Sequence, residues 1–242
     1  YKVTGVQTCA LPILTIKGQI QGDSAMIERA VEYAQKAIEL RPNLSDSYSV
    51  LGIAFTALDR VDDAIGALRR ALAFAPNDGF VRSALGRTYF VGKGMFKEAV
   101  AEYDRAMGDP GENHWLAASL SHVLIYTGDY LRAEELARIS IKAQEQTALN
   151  HEGIQIIGAY MRLGQALYMQ DRFEEAIAEF RREEEFLKTC GHALKDRVLI
   201  ELHQKRAAAY ARLGRTAEAR AEYELAQAQF EARLQKIGRA HV

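Results

Sequence analysis

The sequence predicts an all-α protein, a right-handed superhelical solenoid of about five antiparallel helix pairs. Three observations lead to this fold class. Only 4 prolines and 18 glycines interrupt 242 residues, and Ala, Leu, Glu and Arg are abundant, which favours helix. Apolar residues recur at spacings of three and four, as on one face of a helix. A pattern also repeats every 34 residues, which is the length of one helix–turn–helix unit.

The repeat is carried by a Leu-Gly pair, a later alanine and a proline. Leu51-Gly52 recurs as Leu85-Gly86, and Leu163-Gly164 occurs further along the chain. Small residues at these positions allow two helices to approach to the usual interaxial distance, whereas a larger side chain would separate them. The matching alanines are Ala64, Ala99, Ala133, Ala176 and Ala219, and the prolines that end second helices are Pro42, Pro76 and Pro110.

This pattern resembles the tetratricopeptide repeat over nearly all of residues 26–232. The resemblance implies that the first helix of each pair lines a concave surface. We expect one helix at 24–40, followed by five pairs of helices. The expected pairs are 45–59 with 61–74, 79–91 with 95–108, 114–127 with 130–147, 151–169 with 173–189, and 194–213 with 216–234.

The spacing departs from 34 residues in two places. Gly86 lies 13 residues before Ala99, whereas Gly52 lies 12 before Ala64, so we expect an inserted residue in the turn at 92–94. Ala133, Ala176 and Ala219 are 43 residues apart, so the later repeats have longer helices or connections. The unit around 115–133 lacks the Leu-Gly pair.

Both ends of the sequence have a different character. Residues 3–13 and 236–242 resemble in-frame translations of a sequencing adapter. We therefore expect 1–13 and 236–242 to be assembly artefacts, with one helical repeat domain at 14–235. Both natural termini would then be missing, and the sequence would give no information on whether the protein carries an export signal.

Nothing in the sequence indicates an enzyme, a cofactor or a metal. The histidines and cysteines lack the spacing of a zinc site, and Gly92-Lys93-Gly94 lacks the rest of a phosphate-binding loop. Cys190-Gly191-His192 is interpreted as a helix end closed by glycine. The acidic run at 183–185 is interpreted as a solvated helix face, and a site for a basic partner is the alternative.

The candidate partner-binding residues follow from the family resemblance. First-helix stripes place three of them before residue 91 and five after residue 114. Exposed aromatic and methionine side chains are enriched at binding surfaces, although neighbouring helices could equally cover them. The groove residues that the resemblance implies are Phe80, Arg87, Phe90, Trp115, His122, Met161, Gln165 and Tyr168.

These observations predict a protein–protein interaction scaffold that binds a peptide or helix along a concave groove. The alternative is the regulatory or sensor region of a larger bacterial signalling or transcription-regulatory protein. The net charge of −1 gives no indication of nucleic acid, and the sequence contains no apolar run long enough to span a membrane. Scarce cysteines suggest a cytoplasmic location, while the partner and the oligomeric state stay undetermined by the sequence.

Overall fold

A computed structural model describes residues 15, 18, 23–108, 113–150, 157–192 and 194–240. Over these residues the secondary structure is helical, apart from turns and short connections, and contains no strand. The contacts between residues divide the chain into two compact units, residues 1–109 and 110–242. The expectation of a single repeat domain at 14–235 stays a prediction.

Unit 1 contains a single helix and two antiparallel helix pairs among its described residues. The single helix is α1 (Ser24–Leu40), and the pairs are α2 (Ser45–Ala57) with α3 (Val61–Phe74) and α4 (Gly79–Thr88) with α5 (Phe96–Met107). Asp23 begins α1 by accepting a hydrogen bond from the Met26 amide at 3.1 Å. Asp78 begins α4 by accepting from the Phe80 and Val81 amides at 3.0 and 3.1 Å.

Close helix contacts in unit 1 explain the repeated Leu-Gly pair. A Cβ atom on Gly52 would lie 2.5 Å from Leu68 Cγ and 3.1 Å from the Ala64 carbonyl oxygen. A Cβ on Gly86 would lie 3.2 Å from the Ala99 carbonyl oxygen. Each glycine therefore faces the alanine with which the sequence pattern pairs it, and the predicted phase of the repeat is confirmed.

Among its described residues, unit 2 contains three antiparallel pairs, and the second helix of each pair is longer than those of unit 1. These are α6 (His114–Thr127) with α7 (Tyr130–Asn150), α8 (Ala159–Tyr168) with α9 (Phe173–Thr189), and α10 (Lys195–Arg212) with α11 (Thr216–Ala240). Among the second helices, α7 has 21 residues and α9 has 17, whereas α3 has 14. The 43-residue spacing therefore includes longer second helices, which is one of the two alternatives that the sequence left open.

The unit that lacks a Leu-Gly pair uses serine at the same position. Leu120 and Ser121 are buried, and Ser121 lies 12 residues before Ala133. The Ser121 hydroxyl donates to the Ala133 carbonyl oxygen at 2.8 Å. The small serine side chain therefore fits at the close contact between the helices, and its buried hydroxyl has a hydrogen-bond acceptor there.

Most predicted helices agree with the structure. Helices α1, α3, α6 and α9 have the predicted bounds, whereas α7 and α11 extend beyond them. The adapter-like C-terminal residues are helical as far as Ala240, and 1–13 lie outside the described residues. The assignment of both ends as artefacts stays a prediction.

The predicted start of the helix at 151–169 needs correction, because α8 begins only at Ala159. Residues 151–156 lie outside the described residues, and Ile157 and Gly158 are not helical. Gly158 has φ of 87°, a left-handed conformation that glycine adopts without steric cost. The amides of Gly158 and Tyr160 donate to a buried carboxylate from α9, which fixes this start.

That carboxylate belongs to Glu183, which lies in the acidic run that the sequence analysis interpreted as a solvated helix face. Glu183 is fully buried and accepts hydrogen bonds from the Gly158 amide at 2.7 Å, the Tyr160 amide at 3.1 Å and Gln144 Nε2 at 3.2 Å. Burial raises the pKa of Glu183, and the hydrogen bond from the Gly158 amide opposes that rise. The interpretation of the acidic run as wholly solvated was therefore wrong at Glu183.

Candidate functional site

The first-helix face of unit 1 carries two of the predicted residues in exposed positions. Phe80 lies in the first turn of α4 and is 59% exposed, and Arg87 is exposed further along the same helix. Phe90 is partly buried, with its ring centroid 5.9 Å from that of Phe96. Phe80 and Arg87 are therefore available to a partner, and Phe90 is available only in part.

The inserted residue near 92–94 forms a π-helical turn at Tyr89–Lys93. One extra residue in a helix is accommodated in this way, because the hydrogen bonds then span five residues. A Cβ on Gly92 would lie 2.5 Å from Val61 Cγ1, and Lys93 Nζ lies 3.0 Å from Asp62 Oδ2. The glycine and lysine therefore serve packing and a surface ion pair, which agrees with the interpretation as an insertion.

The first-helix face of unit 2 begins on α6. Trp115 is 54% exposed and Tyr126 is 52% exposed, while His122 lies partly buried between them. The His122 and Tyr126 ring centroids are 5.7 Å apart. The sequence analysis named Trp115 and His122 as candidates and did not name Tyr126, although Tyr126 lies four residues after His122 and so on the same helix face.

The structure corrects Met161 on α8. Its side chain is only 7% exposed and packs in the core cluster of unit 2, so a bound partner could not use it as an anchor. Gln165 and Tyr168 are partly buried, and the Tyr168 ring centroid lies 5.3 Å from that of Phe173. Arg162, one residue after Met161, is partly exposed instead.

Two basic side chains on the first helices of unit 2, Arg162 and Lys205, act on the ionisation of His122. Burial, together with the charges of Arg162 and Lys205, lowers the pKa of His122 to about 3, so this imidazole is neutral near pH 7. Burial also lowers the pKa of Lys205, with a further contribution from Arg162. These groups lie on α6, α8 and α10, and α8 contacts both of the other two helices. The sequence analysis named His122 as a groove residue and did not name Arg162 or Lys205.

The remaining sequence motifs have structural roles. Cys190 is a buried, reduced thiol, and His192 Nδ1 accepts a hydrogen bond from the Leu194 amide at 3.1 Å. The imidazole is thereby engaged with the backbone, not arranged as a base for the thiol. Helix α9 ends at Thr189 as expected, but φ of Gly191 is not left-handed, so an extended Cys190 ends the helix.

Two other kinds of site are absent from the residues that the structure describes. Within them, no three His, Cys, Asp or Glu side chains are grouped as a metal ion would require. No helix in the same part of the chain is long and apolar enough to cross a membrane. The expectations that the protein binds no metal and no cofactor stay predictions.

The helix pairs and their close Gly–Ala contacts define a class, the proteins built from stacked helix–turn–helix repeats. The chain belongs to the tetratricopeptide repeat family, because the family profile matches residues 18–79 and 119–186, more than half of the sequence. Proteins of this family are typically interaction scaffolds and not enzymes. No curated protein matches the sequence.

Solved structures show the same fold. The pilus biogenesis factor PilW is 17% identical, with a TM-score of 0.72 over 95% of this chain and 96% of its own. YrrB, described as having an unusual peptide-binding site, is 18% identical, with a TM-score of 0.58 over 88% of this chain and 100% of its own. Cut9, in complex with Hcn1, is 14% identical, with a TM-score of 0.69 over 90% of this chain. This chain spans only 39% of Cut9.

Proposed function

We propose that the protein is a scaffold that binds a peptide or helix of another protein on the first-helix face of unit 2. The observation that carries this proposal is the pair of exposed aromatic side chains, Trp115 and Tyr126, on α6. Binding energy at protein interfaces concentrates in a few residues, and tryptophan and tyrosine are enriched among them. The fold places both rings on a rigid helix, so little conformational entropy is lost when a partner binds.

The support from the comparisons is general. Family membership favours a protein or peptide partner over a small-molecule substrate. YrrB is described as binding a peptide, and we infer the same kind of ligand here without assuming the same position. The alternative of a regulatory region in a larger signalling protein gains no support from the comparisons.

Unit 1 contributes a second face of the same kind. Phe80 and Arg87 are exposed on α4, where an aromatic and a cationic side chain lie seven residues apart and so on one side of the helix. We regard this face as an additional contact surface, and we expect its contribution to be separable by mutation from that of Trp115.

Affinity capture with matched variants tests the proposal. The wild type, Trp115→Ala and Leu131→Ala are immobilised, and the proteins that each retains from a native lysate are compared. Leu131 is the control because it is 75% exposed and apolar but lies on the second helix α7. Circular dichroism establishes that each variant is folded.

We expect Trp115→Ala to lose partners that Leu131→Ala retains. Truncation of a central aromatic anchor costs about 2 kcal/mol or more in binding free energy, about a thirtyfold change in affinity. Equal retention by both variants would place the binding surface elsewhere. Unfolding of Trp115→Ala would contradict its placement as an exposed residue.

A further inference from the structure

Helix α11 carries an apolar stripe that no other described helix covers. Tyr223, Phe230 and Leu234 are exposed on this helix, at spacings of seven and four residues that place them on one side of it. Helix α11 packs against α10 through a different side, on which Ala219 and Ala226 are buried. Continuous exposed apolar surface marks sites of contact with other molecules, so the stripe is a candidate contact surface.

The preceding repeat shows how a face at this position is used. The corresponding positions of α9, 43 residues earlier, are occupied by Phe180 and Leu187. These two side chains are 1% and 0% exposed and belong to a core cluster that includes residues of α8 and α10. Their counterparts on α11, Tyr223 and Phe230, are 52% and 51% exposed. The stripe therefore has the position and the chemistry of a surface that packs against a further helix.

Two charges of opposite sign flank the stripe. Arg220 and Glu231 are exposed and 11 residues apart, which is close to three turns, so both lie on the same flank of the helix. Neither side chain forms an ion pair among the described residues, and Glu231 accepts a hydrogen bond from the neutral Gln227 at 2.9 Å. The flank therefore carries a cation towards one end of the stripe and an anion towards the other.

This order of charges matches an antiparallel copy of the same helix. A twofold axis that brings two stripes face to face and reverses the helix direction keeps the two flanks on the same side. Arg220 of one copy then lies opposite Glu231 of the other, and symmetry repeats the pair. The midpoint of Arg220 and Glu231 is within about one residue, or about 1.5 Å, of the midpoint of Tyr223 and Phe230. One axis therefore pairs the charges and also sets the aromatic rings beside each other, whereas a parallel pair would put the two flanks on opposite sides.

We infer that two copies of this chain associate through α11, in an antiparallel pair whose aromatic stripes pack together and whose Arg220 and Glu231 side chains form two symmetric ion pairs. The surface belongs to a second helix and shares no residue with the first-helix face that we propose to bind another protein. The inference therefore goes beyond the proposed function, and the association would give each assembly two copies of that first-helix face.

Analytical ultracentrifugation of the full chain over a series of concentrations tests the association. The wild type is compared with Phe230→Ala and with the control Leu225→Ala. Leu225 is exposed on the same helix to a similar extent, but it lies two residues after Tyr223 and so on the opposite side. Circular dichroism establishes that each variant is folded, as expected for substitutions of exposed side chains.

We expect the wild type and Leu225→Ala to form dimers as the concentration rises. Phe230→Ala should raise the dissociation constant by about thirtyfold or more, because a buried aromatic anchor is lost from both copies. Exchange of the charges tests the antiparallel order. Arg220→Glu and Glu231→Arg should each weaken the dimer by about tenfold, because each places like charges opposite one another. The double variant should restore the wild-type dissociation constant.

A wild type that keeps the mass of one chain at every concentration would overturn the inference. A dimer that Phe230→Ala leaves intact would also overturn it, because the two copies would then meet through another surface. Failure of the double variant to restore the dimer would contradict the antiparallel pairing. If the wild type stays a single chain but Phe230→Ala loses a different protein in affinity capture, that protein and not a second copy occupies the stripe. The proposed function depends on Trp115 and is tested separately.

Discussion

Substitution by alanine should change the stability of unit 1 in opposite directions at two of its glycines, Gly52 and Gly66. Gly52 lies where a Cβ would be 2.5 Å from Leu68 Cγ and 3.1 Å from the Ala64 carbonyl oxygen, whereas a Cβ on Gly66 would meet nothing within 4 Å. Both glycines are within helices, where alanine is more favourable than glycine by about 1 kcal/mol. Gly66→Ala should therefore raise the free energy of unfolding by about 1 kcal/mol.

At Gly52 the cost of the steric clash exceeds the stabilisation that alanine gives to a helix. Overpacking a close contact costs about 1–3 kcal/mol, because the Leu68 side chain and the backbone of α3 would have to move. Gly52→Ala should then lower the free energy of unfolding by about 1 kcal/mol, which leaves a difference of about 2 kcal/mol between the two variants. Gly86→Ala should lie between them, since its closest contacts would be 3.2 Å.

Urea titration followed by circular dichroism at the helical band measures the difference. With a slope of about 2 kcal/mol per molar urea, the midpoints of Gly52→Ala and Gly66→Ala should differ by about 1 M. Gly86→Leu should destabilise more than Gly86→Ala. Equal midpoints for Gly52→Ala and Gly66→Ala would refute the close helix contact as the reason for the repeated glycine.

Three further predictions concern buried and terminal groups. Glu183→Gln should lower the free energy of unfolding by about 1–3 kcal/mol, because a buried amide would lose its acceptor, while Glu185→Gln, which loses only a surface pair with Lys188, should cost about 0–1 kcal/mol in the same titration. The lowered pKa of His122, about 3 in the folded chain against 6.5 for the ordinary group, means that only the unfolded chain binds this proton between those values. Stability should therefore fall as the pH drops through that range, and the His122 ring should show no titration above pH 5 by NMR. Removing 1–13 and 236–242 should leave the melting temperature nearly unchanged, and a drop of many degrees would show that they pack natively.

The repeat could be predicted from sequence because its signals are local. Small residues at 52, 86 and 164 and the alanines that face them stand at fixed separations within one helix pair, so their spacing reveals the phase. The serine at 121 was missed because it was not recognised as a replacement for glycine. Its hydroxyl can bond to a neighbouring backbone carbonyl, which makes serine compatible with the same close contact.

The start of α8 could not be predicted in this way. Glu183 is 25 residues from Gly158, and an acidic run at helical spacing normally marks a solvated face. Which member of the run turns inward depends on the packing of α9 against α7 and α8, and this is a property of the tertiary structure. For the same reason, Met161 lies in the core and Arg162 is only partly exposed.

The candidate surface was therefore predicted in part. Exposed Phe80 and Trp115 came from helix periodicity within the repeat, and Tyr126 was available from the same periodicity but was not chosen. The electrostatic effect of Arg162 and Lys205 on His122 joins three residues from separate helices, 40 and 43 positions apart in sequence. No local pattern relates residues at those separations, so this feature required the structure.

Site-specific photo-crosslinking tests the central claim most directly. A photoreactive phenylalanine analogue is placed at position 126 on the first-helix face of α6, or at position 131 on the second helix α7, where the native Tyr126 and Leu131 are both exposed. The folded variants are irradiated with a partner that the wild type retains in affinity capture, and covalent adducts are located by mass spectrometry. We predict adducts from position 126 and none from position 131. Adducts from position 131 alone would contradict the assignment of the first-helix face as the binding surface.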